Sequence, residues 1–278
     1  MGGTTLVLGA NGKTGRRVAA RLTERGVGVR AGSRAGQPPF DWHDPATWGP
    51  VLEGGDAAYV SFFPDLAAPG APEIVGAFGR RAAQAGVGRL VLLSGRGEEE
   101  AQRAERELAA AGVPWTVVRA SWFSQNFSEG FLREAVLSGE VALPVGGMVE
   151  PFVDVEDIAD VAVAALTGDG HAGRVYEVTG PRAITFAAAV GEIARASGRA
   201  VRFASIPLEA FTAALAGMGE PPEAVALIAF LFTEVLDGRN ARPAAGGHEA
   251  LGREPRDFAG YAARAAAAGA WDLSGVTG

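Results

Sequence analysis

A chain of 278 residues, 48% apolar and 21% charged, is long enough to bury one large core or a main domain with a smaller one attached. Its net charge of −7 works against a nucleic-acid backbone as partner, and with no cysteine it has no disulfides, thiolate catalysis or thiolate metal sites. The three histidines, His43, His171 and His248, are far apart and lack metal-ligand spacing, so no metal is expected.

No apolar run is long enough to span a bilayer. Ala224 to Leu236 is too short and is interrupted by Thr233 and Glu234, while Met1 to Thr4 leads directly into a strand with no room for a signal peptide. A cytoplasmic protein is the expectation.

The first element is Leu6-Val7-Leu8, followed by Gly9-Ala10-Asn11-Gly12-Lys13-Thr14-Gly15 and a helix with Val18 and Leu22 on one face. Gly9 allows a sharp turn out of the strand, Gly12 a close approach of backbone to a pyrophosphate, and Gly15 close packing of helix on sheet. The first-turn amides and the positive end of the helix dipole then face the phosphates, so Gly9, Asn11, Gly12, Lys13, Thr14 and Gly15 are candidate cofactor residues. The spacing G-x-x-G-x-x-G resembles that of the extended and atypical short-chain dehydrogenase/reductases.

A second strand over 26–32 ends at Ser33-Arg34. An acidic residue that would grip a ribose 2′-hydroxyl, about 20 residues beyond the glycine loop, is absent. Ser33 and Arg34 offer a hydroxyl and a planar cation suited to a 2′-phosphate, which favours NADP or NADPH over NADH. In the families that the loop resembles, an acidic residue shortly after this point contacts adenine. Asp41, with Trp42 beside it, is the candidate, and Asp44 is an alternative helix cap.

A buried strand over 56–61 leads to Ser61, Phe62, Phe63 and Pro64, which should lie along the cofactor because ligands bind outside the carboxyl ends of parallel strands. A helix over 71–85 and a strand over 89–94 follow, the latter closing at Ser94, where short-chain reductases carry a catalytic serine. Those enzymes place a tyrosine and a lysine on the next helix for proton transfer. Here that helix, roughly 98–111, has neither, and the only lysine of the chain is Lys13.

A strand over 112–119 precedes Ala120-Ser121-Trp122-Phe123-Ser124-Gln125-Asn126-Phe127-Ser128-Glu129. This run resembles the NmrA-like branch of atypical short-chain reductases, with festuclavine and agroclavine dehydrogenase-like members closest. The likeness continues through Pro151 to Ala159, Tyr176 to Pro181 and Leu251 to Phe258. It implies a Rossmann-type, doubly wound parallel α/β sheet with a smaller, mostly helical substrate domain. The boundaries read as 1–150 for the nucleotide domain, with 151–180 returning to it in part, and 181–278 for the smaller region. Asp154 and Asp157 read as caps of an apolar helix over 158–166.

Pro207 to Gly238 reads as two helices broken at 217–222, a lid and wall in which Met218, Phe230 and Phe232 are available. Trp122, Phe123, Phe127 and Phe230 are the candidate substrate pocket, and Ser94 and Asn126 the candidate catalytic groups. The expected activity is NADPH-dependent hydride transfer to a small apolar acceptor. An iminium carbon needs no acid, a simple ketone needs a proton donor, and a conjugated acceptor lies between, so C=N or conjugated C=C should be reduced faster than a ketone. The alternative is a redox sensor that binds NADP without turnover and acts through a protein partner, which an exposed apolar patch near Phe230 would favour. A homodimer is compatible with the sequence.

Overall fold

The computed structural model describes residues 3–273. β1 (Thr4–Leu8), α1 (Gly15–Glu24) and β2 (Gly28–Gly32) form the first unit of the chain, followed by α2 (Trp48–Leu52), β3 (Ala57–Val60), α3 (Ala71–Gln84), β4 (Arg89–Gly95), α4 (Glu99–Ala109) and β5 (Trp115–Ala120). Next come α5 (Asn126–Glu129), α6 (Leu132–Ser138), β6 (Glu140–Leu143), β7 (Val149–Glu150), α7 (Val155–Thr167) and β8 (Arg174–Val178). The chain closes with β9 (Ile184–Thr185), α8 (Phe186–Ser197), β10 (Arg202–Ser205), α9 (Leu208–Gly217), α10 (Pro222–Phe230), α11 (Gly246–Leu251) and α12 (Phe258–Ala267).

Two compact units share these elements. Unit 1 comprises 1–120, 155–178 and 245–254; unit 2 comprises 121–154, 179–244 and 255–278. The division comes earlier than residue 150, and the first unit takes back one segment more than expected. The sheet explains why: β8 is needed as the strand beside β5, and α11 seats Gly246 so tightly on the backbone of Tyr176 and Glu177 that a side chain there would collide.

Unit 1 holds a six-stranded sheet in the order β2-β1-β3-β4-β5-β8, parallel at every pairing. Its inner strands are buried apolar runs, such as Ala57–Val60 with every residue buried, as a sheet covered on both faces requires. The order reverses between β1 and β3, which makes their carboxyl ends the switch point where such sheets bind ligands. One side is filled by an aromatic cluster of Phe40, Trp42, Trp48, Phe62 and Phe78. Arg17 and Arg21 of α1 pair with Glu156 of α7, and Arg21 also reaches Asp160 at 2.7 Å.

Unit 2 has its own core around Phe127, Phe152, Phe186, Phe232, Phe258, Tyr261 and Trp271. Two small sheets, parallel β6–β10 and antiparallel β7–β9, accompany its helices. The expected pair of helices within 207–238 is present as α9 and α10, and the second continues into a wider turn over Leu231–Val235. Among the described residues, no helix is long and apolar enough to cross a membrane.

Candidate functional site

The glycine loop stands at the β1/β3 switch point. Gly9 has φ +68°, the left-handed region in which a side chain is strained, and it lies against Ser61 at the end of β3. A methyl group on Gly15 would collide with the carbonyl of Gly9, so only glycine lets α1 start this close to the strand. Gly12 donates its N–H back to the Gly9 carbonyl at 2.8 Å, which closes the turn.

Thr14 precedes α1 without capping it, and the first turn of that helix carries no acidic side chain. A helix start with neither cap nor acid keeps its positive pole for an external anion. Asn11 and Gly12 are exposed, Lys13 half-buried, and Thr14 and Gly15 buried. The loop's own residues therefore fit a pyrophosphate.

Beyond β2, Ser33 is half-buried and Arg34 exposed, and Arg34 has no ion pair among the described residues. The Ser33 carbonyl accepts N–H bonds from Gly36 at 3.0 Å and Phe40 at 2.9 Å, which fixes the turn that presents the guanidinium. Asp41 is half-buried, and its Oδ1 accepts the His43 N–H at 2.9 Å, closing a local turn. Trp42 is buried, edge-on to Phe40 and 5.0 Å from Phe62, so both Trp42 and Phe62 are core side chains. Phe63 is the exposed ring of this loop, at 71%. Ser61 is half-buried beside Gly9.

Ser94 is not presented as a free hydroxyl. It is buried and donates to Glu105 Oε1 at 2.6 Å; Glu105 in turn is held by Arg119 and Arg119 by Glu177, the last at 3.0 Å. Glu105 is the first cause of the raised pKa of the Arg119 guanidinium. The serine thus belongs to a buried ionic network that joins α4, β5 and β8. Tyr59, the tyrosine of β3, is wholly buried, and burial pushes its hydroxyl well above the ordinary range, which removes it from proton transfer at neutral pH.

In unit 2, Trp122 is half-buried against Phe232, with centroids 5.1 Å apart, and its indole N–H is buried without a partner. Phe123 is half-buried and its backbone bridges Val153. Asn126 is half-buried at the start of α5. Phe127 is a correction to the expected pocket: it is fully buried among Phe152, Phe186 and Phe258, where an aromatic core and not an acceptor surrounds it. Phe230 is 40% and Met218 71% exposed, α10 has no buried residue, and Phe232 is enclosed. Asp154 and Asp157 at the start of α7 also have side-chain partners, the former Gln125 and Arg264 and the latter Arg253 at 2.7 Å. Among the described residues no three His, Asp or Glu side chains gather as a metal site.

No protein-family model matches the chain. It is 36% identical over 252 residues to (4-alkanoyl-5-oxo-2,5-dihydrofuran-3-yl)methyl phosphate reductase of Streptomyces griseus, covering 80% of this chain and 84% of that protein. Agroclavine dehydrogenase of Claviceps fusiformis is 30% identical over 290 residues, covering 93% of this chain and 96% of its own. The chain belongs to the NmrA-like atypical short-chain dehydrogenase/reductases. It shares the fold of the family in three dimensions: the NADPH complex of the Escherichia coli quinone oxidoreductase QOR2 superposes with a TM-score of 0.75 at 20% identity, over 94% of this chain and 99% of that one. NAD(P)H azoreductase of Xenophilus azovorans is 32% identical over 214 residues, and the chain is an NAD(P)H-dependent oxidoreductase.

Sequence reasoning missed two acids at the carboxyl edge of the sheet. Glu105 falls on the buried face of α4 with Ala101, Ala104 and Leu108, and an acid at a core position of a helical repeat was the available signal. Glu98, read only as the start of the helix over 98–111, is buried with its carboxyl turned toward the sheet.

Proposed function

We propose that this protein is an NADPH-dependent reductase that passes a hydride to a small apolar acceptor, an iminium ion or a conjugated C=C or C=O compound. The observation that carries the reading is the uncapped, acid-free start of α1 over the β1/β3 switch point, with Ser33 and Arg34 beyond β2 and no acid there to favour NADH. NADPH, when bound, supplies the hydride. The glycine loop fixes its pyrophosphate, and Arg34 with Ser33 selects the 2′-phosphate. Trp122 and Phe123 are the aromatic groups offered to an acceptor, with Asn126 as an orienting amide; ring faces favour a cationic one.

A conjugated acceptor is supported by the Streptomyces griseus relative, named for a dihydrofuranone whose ring double bond is conjugated with two carbonyls. An iminium is supported by the missing tyrosine and lysine on α4, since such an acceptor leaves as a neutral amine without an added proton. One observation favours the second reading, an NADP-binding regulator that acts through a partner: Phe131, Met218 and Phe230 are exposed on unit 2.

The test is NADPH oxidation, followed by absorbance, against cyclic iminium ions, enones, quinones and simple ketones, with NADH alongside. Turnover of iminium or conjugated acceptors at least tenfold faster than ketones is expected. Comparable rates across the classes would overturn the acceptor assignment, and tight NADPH binding with no turnover would transfer the conclusion to the regulator.

A further inference from the structure

Apart from Glu223, every side chain of α10 in unit 2 is apolar. A helix apolar on all sides is ordinarily enclosed by its own protein. This one is not, for none of its residues is buried. Val225 and Ile228 rest on the core of unit 2, while Ala226 and Phe230 are exposed.

The helix is nonetheless firmly seated. The wider turn that follows it buries Phe232 against Trp122 and Phe211, each with centroids 5.1 Å away. Met218–Pro221 joins α10 to α9, on which it packs. Met218, in that connection, is 71% exposed, and Phe131, edge-on to Phe232 at 6.5 Å, is 44% exposed. The helical pair therefore presents apolar surface that its own unit leaves open.

The charges on this segment are of one sign. Between Phe203 and Gly238 the charged residues are Glu209, Glu220, Glu223, Glu234 and Asp237, with no lysine or arginine. Asp237 is taken by Arg239 at 2.7 Å, whereas the glutamates are exposed and form no ion pair among the described residues. Glu209 opens α9, Glu220 and Glu223 stand at the turn into α10, and Glu234 lies just beyond it, so acids bracket the apolar stretch.

That sign decides between occupants. An anionic bilayer surface or a nucleic-acid backbone is repelled by it. A second copy using the same face across a two-fold axis would set glutamate against glutamate. A helix with an apolar stripe flanked by lysine or arginine is matched in both respects.

We propose that α9 and α10 form a docking surface for a basic amphipathic helix of a partner protein. Its apolar residues cover Phe230 and Met218, and its cations meet Glu220, Glu223 and Glu234. At 1.5 Å per residue α10 is roughly 14 Å long, which accommodates about two to three turns of such a helix. This function is additional to hydride transfer, and the reductase reading neither requires it nor falls with it.

Two labelled helical peptides of equal length test the surface on the full chain by fluorescence anisotropy. Both carry leucine at i, i+3, i+4 and i+7, and the remaining positions are lysine in one and glutamate in the other. The lysine peptide is expected to bind roughly thirtyfold more tightly. Phe230→Ser should weaken it about tenfold, and so should the double variant Glu220→Lys, Glu223→Lys. The double variant Glu24→Lys, Glu53→Lys makes the same charge change on exposed acids of unit 1 and should leave its Kd within about twofold. With the peptide bound, amide hydrogen exchange should slow over 208–235. Equal binding of the two peptides, equal loss in both double variants, or protection confined to other segments overturns the docking surface. A monomer–dimer equilibrium in sedimentation that Phe230→Ser abolishes also overturns it and gives the face to a second copy, and binding to phosphatidylserine vesicles lost in the same variant gives it to a membrane. None of these measurements reads turnover, so each outcome leaves hydride transfer to be judged by NADPH oxidation alone.

Discussion

Arg34 is one exposed guanidinium in a chain of many arginines, and its meaning comes from where β2 stops. No acid pairs with it among the described residues, so its full charge is available to a ligand. A charge-assisted bond of this kind contributes about 1.5–3 kcal/mol, and 1.4 kcal/mol is tenfold in affinity. Arg34→Ala should therefore raise the Kd for NADPH at least tenfold and leave that for NADH nearly unchanged, as read by fluorescence titration with both cofactors. Equal losses would mean that the arginine supports the loop and not the phosphate. At this scale the sequence was most informative where the backbone itself is the functional group: Gly9 and Gly15 were legible because their roles are steric. Side chains were harder to read. Trp42, Phe62 and Phe127 have the composition of a ligand pocket, yet large rings lose more by leaving the core than they gain at its edge, and all three are buried.

Along 4–120 the main helices and strands were read from apolar periodicity to within a few residues, and the break between α9 and α10 from its glycines and prolines, whereas α6, β6, β7, β10 and α11 were not read. What periodicity could not supply was the partner of a buried charge. Glu105 sits on the core face of α4 because Arg119, at the far end of β5, reaches it, and that pairing depends on the parallel register of β4 on β5. Arg119 is itself shared with Glu177 of β8, so three elements are joined through one guanidinium. Arg119→Met would leave Glu105 charged and buried, at a cost of about 3–5 kcal/mol. Urea denaturation should show this loss, and Glu105→Gln in the same background should recover part of it. A change below about 1 kcal/mol would identify the pair as a solvent-screened one.

Proton binding at Glu98 reaches the stability of the whole molecule. Its folded pKa is raised, so between the unfolded value, about 4.3, and the folded one the native state binds more protons than the unfolded state. The stability it contributes is complete below the unfolded value and is lost as pH rises toward about 9. Tm should fall across that window, and Glu98→Gln, neutral throughout, should flatten the fall. An unchanged slope in the variant would assign the loss to other groups.

The chain passes from one unit to the other at 120/121, 154/155, 178/179, 244/245 and 254/255. Neither unit is a contiguous stretch, and the sheet is incomplete until β8 has been made. A relative with a different acceptor preference therefore cannot arise by joining one cofactor module to the tail of another, because a single crossover would split both cores. Diversification in this scaffold must proceed by substitutions at fixed positions, and a designer who transplants unit 2 has to graft three segments at five junctions together.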